Sequence, residues 1–219
     1  MPVLIVVEGP QDAHTIEKML NDRLTDSERV CGWYRGLDSQ TKPFTLRSAG
    51  GYENLLKELP SILAGHEGPI GFVVDADSDI GRRWTSLTDR LKLSEDIAHV
   101  PEAPDANGTL LHAVDSRWIG IWLWPNNRDD GDLETFASTM IPGEDLLWPH
   151  ACETVAELGE RRVFAENHEN KAKLYTWLAW QKPPGQQVGD AIRRHALNPD
   201  SPLAQSLKVW LHQLKDLDT

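Results

Sequence analysis

Asp75, Asp77 and Asp79 stand at alternating positions where the apolar run of GFVVDADSD (71–79) ends. Phe72, Val73 and Val74 form a continuous β-prone stretch with no solvent face, which reads as a buried strand. The three carboxylates therefore sit where that strand leaves its sheet. Carboxylates held close together repel, and a hard cation that prefers oxygen ligands, Mg²⁺ or Mn²⁺, relieves the repulsion. For this stretch alone, the competing reading is a solvated acidic loop that caps the next helix. Two further acidic pairs, Glu8 with Asp12 and Asp132 with Glu134, also follow strand-like runs. In an open parallel sheet, the ends of neighbouring strands converge on one crevice, so residues distant in sequence can share a site. Carboxylates gathered there suit one or two divalent ions that activate water and stabilise the attacking and leaving oxygens of phosphoryl transfer.

The elements that must position these groups follow from the hydrophobic pattern. VLIVV (3–7) is a β-branched run that stops at Glu8-Gly9-Pro10, a central buried strand. Asp12 is the expected N-cap of a helix whose Ile16, Met19, Leu20 and Leu24 recur at helical spacing. Between Arg29 and Ser48 one sheet strand is expected. Gly50-Gly51 forms a turn before a helix on Leu55, Leu56, Leu59, Ile62 and Leu63 that Pro60 would bend. Ile80 to Leu93 reads as a helix with Arg82 and Arg83 in its first turn. Thr109–Val114 and Trp118–Trp124 read as an antiparallel hairpin at the sheet edge. Beyond Trp124-Pro125 the β signal ends. Helices are expected over 133–140, 144–168, 169–181, 187–197 and 202–217, broken by Pro142-Gly143, Pro183-Pro184-Gly185 and Asn198-Pro199.

With 219 residues the chain can bury a sizeable core. A hydrophobic fraction of 40% and a charged fraction of 26% fit a globular protein. Lys+Arg 22 against Asp+Glu 34 gives a net charge of -12, which argues against nonspecific coating of nucleic acid or anionic membrane by the whole surface. A nucleic-acid enzyme is still allowed, because a divalent-metal site is itself acidic. Among nine Trp, those at 118, 122 and 124 lie in strand-like sequence and are assigned to core. Cys31 and Cys152 are isolated, so neither a disulfide framework nor a zinc site is indicated, and a reducing cytoplasm fits. The eight His are scattered and read as structural. MPVLIVVEGP lacks a basic flank, and no apolar run reaches membrane length.

EG-x-x-D at Glu8 to Asp12 and D-x-D at Asp75 to Asp77, separated by a β-α-β-α-β run, resemble the TOPRIM domain shared by topoisomerases, primases and OLD-family nucleases. GDLE at Gly131 to Glu134, with NKAKL at Asn170 to Leu174, is similar to the OLD-type branch and its small stand-alone relatives. The resemblance implies an α/β fold with a mostly parallel, Rossmann-like sheet flanked by helices. It also implies a TOPRIM-like catalytic domain over residues 1–140 and a helical extension over 141–219. It makes Glu8 a general acid/base or metal ligand, Asp12 a ligand of the same site, Asp75 and Asp77 the principal metal ligands, and Asp79 peripheral. Asp132 and Glu134 complete a second metal position. Lys171 balances charge at the scissile phosphate, a role for which Lys173 competes. For GDLE alone, a helix N-cap followed by an acidic first turn is an equal reading.

The implied function is an Mg²⁺- or Mn²⁺-dependent nuclease that cuts DNA ahead of RNA. It would be cytoplasmic and the effector of an antiphage or toxin-like system. No G-x-x-x-x-G-K-[ST] element occurs in the sequence, so an ABC/OLD-type ATPase partner is implied. The alternatives are a non-catalytic binding or regulatory subunit of an ATPase complex and, more remotely, a phosphorelay receiver, which also places carboxylates after parallel strands.

Overall fold

In the computed structural model, residues 2–20, 29–30, 33–34, 43–94, 97 and 99–217 are described, with backbone alone at 29–30 and 33–34. The chain runs β1 (Val3–Val7), α1 (Pro10–Met19), β2 (Arg29–Val30), β3 (Trp33–Tyr34), β4 (Phe44–Ser48), α2 (Tyr52–Gly65), β5 (Ile70–Asp75) and α3 (Ile80–Ser94). It continues with β6 (Thr109–His112), β7 (Trp118–Trp124), α4 (Leu133–Ser138), α5 (Leu147–Ala156), α6 (Glu169–Ala179), α7 (Val188–Arg193) and α8 (Pro202–Asp216). Among the described residues, seven strands form one sheet in the order β2-β3-β4-β1-β5-β7-β6. Its centre, β4-β1-β5-β7, is parallel, and antiparallel strands close both edges. The fold is thus the mostly parallel α/β sheet flanked by helices that the sequence implies.

The chain leaves β1 for β4 on one side and returns past β1 to β5 on the other. The switch in winding direction falls between β1 and β5, where doubly wound sheets open a crevice beyond the strand ends.

Period-2 alternation sorts the strand side chains between two cores. Leu4, Val6, Phe72, Val74, Ile121 and Leu123 face α2 and α3. Val3, Ile5, Val7, Val73, Trp122 and Trp124 face α1, α4 and the C-terminal helices. On that second face α7 packs against α1, and α8 against β5 and β7. The C-terminal helices and the sheet therefore share one hydrophobic core.

Several boundaries differ from the sequence reading. The N-cap of α1 is Gly9; Pro10 occupies the first helical position, which moves Asp12 to the third, from where its carboxylate reaches back to the cap. Leu20 caps the other end, and the expected continuation to Leu24 lies outside the described residues, as does Cys31. Two-residue strands give no periodic signal, so β2 and β3 join β4 where a single strand was expected. The helix expected over 144–168 ends at Ala156, because Gly159 takes a left-handed φ of 49 and Arg162 is extended. Two single 3-10 turns fill the remainder, at Gly159–Arg161 and Glu166–His168.

Pro60 lies inside α2 without ending it. A proline removes the N–H that would bond the carbonyl four residues back. Here the Leu56 carbonyl accepts instead from Arg90 Nε on α3, at 3.0 Å. Arg90→Met is expected to lower the free energy of unfolding by about 1 kcal/mol. In a Pro60→Ala background, where Leu56 regains a backbone donor, urea titration should show that loss at least halved. An equal loss in both backgrounds would mean the guanidinium bond is not what Leu56 requires.

Candidate functional site

Because β1, β5 and β7 are adjacent and parallel, Glu8, Asp75 and the loop into α4 emerge side by side. The Asp75 N–H donates to Glu8 Oε1 at 2.9 Å, joining the carboxyl ends of β1 and β5. Across from it, the Leu133 N–H in the first turn of α4 donates to Asp75 Oδ1 at 3.0 Å. The Glu8 carbonyl accepts from Gly50 N and Gly51 N at 2.9 and 2.8 Å. Both glycines have positive φ, 78 and 117, which lets this turn fold back on the strand end. Glu8, Asp12, Gly50, Asp75, Glu134 and Lys171 thereby border one recess.

Asp12 is buried and held from two directions: Oδ2 accepts from the Gly9 N–H at 2.9 Å and Oδ1 from Trp124 Nε1 at 3.0 Å. Trp124 pairs in register with Asp75. Its indole is packed in the core as expected, but its N–H serves the acidic group. Asp132 caps α4, with Oδ1 accepting from Thr135 N at 2.8 Å and Thr135 Oγ1 at 2.7 Å. The capping geometry considered for GDLE is therefore present, at the mouth of the same crevice. Glu134 is buried and meets Lys171 Nζ at 2.9 Å. Asn170 adds a bond from Nδ2 to Thr135 Oγ1 at 3.1 Å, and Tyr175 Oη donates to Gln11 at 2.9 Å, so α6 is tied across the crevice mouth.

Asp77 lines the groove with Asp75, Asp132 and Glu134, but its carboxylate pairs with Arg83. Asp79 lies at the start of α3, accepting from Arg82 N at 2.9 Å. Asp130, from the loop after β7, accepts from Ile80 N at 2.8 Å. Lys173 bonds Glu169 at 2.6 Å within α6, and of the two lysines it is Lys171 that borders the recess.

Electrostatics concentrate on Asp75. Burial first, then the charges of Asp12, Glu8, Asp132 and Glu134, push its carboxyl up to about 9. Burial likewise raises Asp12, to about 6. Glu8 is raised by burial against the opposing effects of the Asp75 N–H and the Arg83 charge. Burial would lower Lys171, but its bond to Glu134 and the surrounding negative charge outweigh that, and the ammonium is held above its usual range. Such focused negative potential, with oxygen donors throughout, matches Mg²⁺ or Mn²⁺ better than a soft metal. Among the described residues, no three His, Cys, Asp or Glu side chains already stand at ligating spacing.

Sequence reasoning did not single out Trp124, Arg83 or Tyr52 for this neighbourhood. Trp124 carried one usable signal, its position as the last residue of a strand-like run. Arg83 carried another, its place one turn into the helix that follows D-x-D-x-D.

A family model described as "Protein of unknown function (DUF3226)" matches residues 2–216. No curated protein matches the chain. Among solved structures, the chain is similar to the C-terminal region of the Xanthomonas campestris pv. campestris OLD protein, at 14% identity and a TM-score of 0.35. That match covers 98% of this chain and 94% of the other. Among the described residues, no helix is long and apolar enough to cross a membrane.

Proposed function

The chain belongs to the DUF3226 family, and from the acids that its sheet gathers at one edge we propose that it is a divalent-metal-dependent nuclease of TOPRIM type. The observation that carries this reading is the convergence of Glu8, Asp12, Asp75, Asp132 and Glu134 from three adjacent parallel strand ends, all acting on or bonded around Asp75. Burying mutually repelling carboxylates is costly without a counter-charge, and a fold that does so around an open recess is suited to take up a cation.

Asp75, Asp132 and Glu134 would hold Mg²⁺ or Mn²⁺, with Glu8 and Asp12 at the same site. Side-chain rotation would have to bring them to ligating distance. When bound, one or two ions would supply an activated water and neutralise charge at a phosphodiester. Glu8 Oε1 is fixed by the Asp75 N–H, which directs Oε2 to hold or move a proton. Lys171 Nζ, half-exposed beside Glu134, is placed to meet a non-bridging phosphate oxygen.

DNA is the preferred substrate over RNA. The setting is an antiphage or toxin-like system in the cytoplasm. ATP hydrolysis in such a system would come from outside these 219 residues, through an ABC/OLD-type ATPase, because the sequence holds no P-loop element.

Purified protein is expected to nick supercoiled plasmid with Mn²⁺ and not with EDTA. Glu8→Gln should lower the rate by about 10²–10⁴-fold, the span of a positioned acid/base, with an unchanged circular dichroism spectrum. Nicking that persists in Glu8→Gln and in EDTA would overturn the reading.

A further inference from the structure

Arg83 and Asp77 form their ion pair at the rim of the acidic groove, and neither is placed as an ordinary surface pair. Asp77 has a left-handed φ of 55. Its N–H donates to the Gly131 carbonyl at 2.8 Å, which pins its main chain to the loop that leads into Asp132. The side chain stands between two recesses. One is the groove it shares with Asp75, Asp132 and Glu134; the other is formed with Tyr52, Arg82, Arg83 and Ser86. The carboxylate is turned to the second. There the Arg83 guanidinium lies 3.7 Å from the centroid of the Tyr52 ring. The Arg83 side chain is 11% exposed and that of Asp77 55%.

We propose that Arg83 is a phosphate-responsive latch that keeps Asp77 out of the metal groove until a phosphodiester arrives. The inference rests on the metal-site reading above and adds an order of events to it. A guanidinium presents the same fork to a phosphate as to a carboxylate, so an incoming phosphodiester oxygen competes directly with Asp77. Stacking on Tyr52 keeps the guanidinium at the rim while it changes partner. A pair with one half-exposed member is weak enough to be displaced. Once released, the Asp77 carboxylate turns about its side-chain torsions into the groove and adds an oxygen ligand beside Asp75, with its main chain still held by Gly131. Nucleic acid and metal then promote each other's binding, and by linkage the coupling is reciprocal. Arg83 acts in this as a positioning residue.

The test is titration calorimetry of Mn²⁺ into the full chain. Arg83→Gln, which opens the latch, is expected to tighten Mn²⁺ binding by about 2–5-fold, the upper part of the range that corresponds to one partly exposed ion pair. In an Asp77→Asn background the same substitution should change binding by less than about twofold, since the coupled pair is already broken. A cleavage-resistant phosphorothioate oligothymidylate should tighten Mn²⁺ binding to the unsubstituted protein by a similar factor, and have no such effect on Arg83→Gln. If Arg83→Gln does not fold, Arg83→Lys, which lacks the fork, takes its place with an intermediate gain expected.

A gain that survives in Asp77→Asn would show that losing a positive charge near Glu8 is the cause, and would overturn the latch. Unchanged or weaker Mn²⁺ binding in Arg83→Gln would overturn it too. Either result leaves the metal site standing, whereas failure of the unsubstituted protein to bind Mn²⁺ overturns both.

Discussion

In metal-free buffer at pH 8, Asp75→Asn is expected to melt several degrees above the unsubstituted protein, and the gap should close as pH falls toward 4. The sign follows from proton linkage. In the unfolded chain Asp75 loses its proton near the ordinary value of about 3.9. In the fold, burial and the charges of Asp12, Glu8, Asp132 and Glu134 push that loss to about 9. Between those values the native state holds a proton that the unfolded state lacks. The associated stability is fully present below the unfolded pKa and is lost as pH rises through the native one. Asp12, raised to about 6, adds to the loss over the lower part of the range. Asparagine stays neutral throughout and its Oδ1 still accepts from the Leu133 N–H, so the variant escapes the penalty without losing that bond.

Mn²⁺ should reverse the ranking. A ligand that binds only the native state at about 100 times its Kd adds about 2.7 kcal/mol. For a chain of this size that corresponds to a rise of about 5–10 °C. The unsubstituted protein should gain this and Asp75→Asn should not. Differential scanning fluorimetry from pH 5 to pH 8, with EDTA or Mn²⁺, reads both effects. Parallel pH profiles for the two proteins, or equal stabilisation by Mn²⁺, would count against Asp75 as the focus of the crevice.

What the sequence carried and what it withheld divide along one physical line. Strand ends are local features: the apolar runs 3–7 and 71–74 stop at Glu8 and Asp75, and the run 118–124 stops at Pro125, ahead of the polar loop that leads to Asp132 and Glu134. The helix on Leu55, Leu59 and Leu63 was equally legible, because a 3.6-residue repeat needs no partner to be recognised. Lateral order is not local. The bond from Trp124 Nε1 to Asp12 joins residues 112 apart in sequence and depends on β7 lying beyond β5, which no spacing reveals. The turning of Asp77 toward Arg83 depends on a left-handed backbone at an aspartate, a conformation that sequence tolerates and does not announce. Asp12 shows the reverse case, in which the helix was placed correctly but Pro10 shifted its start and moved the carboxylate from cap to capping-box partner.

The largest stability effect expected lies away from the site, where α8 crosses the sheet. Gly71 of β5 and Gly120 of β7 are register partners, and the missing side chains leave a trough that Trp210 fills. A Cβ on Gly120 would stand 2.7 Å from Trp210 Cζ2 and 2.9 Å from Leu214 Cδ2. One on Gly71 would stand 2.6 Å from Ile5 Cδ1 and 3.1 Å from Leu214 Cδ2. Trp210 is fully buried, with its ring centroid 5.8 Å from that of Trp122. Trp210→Ala should therefore cost about 3–5 kcal/mol, the range for emptying a buried aromatic site. Gly120→Ala should cost about 1–3 kcal/mol through overpacking.

The decisive quantity is their coupling. With the indole removed, the added methyl enters vacated space, and alanine suits a strand better than glycine does. Gly120→Ala in the Trp210→Ala background should then be neutral or stabilising, which makes the two substitutions non-additive by more than about 1 kcal/mol. Guanidinium denaturation of the four proteins measures this directly. Equal costs of Gly120→Ala in both backgrounds would mean that the glycine pair serves the strands themselves, and that α8 is not seated by it.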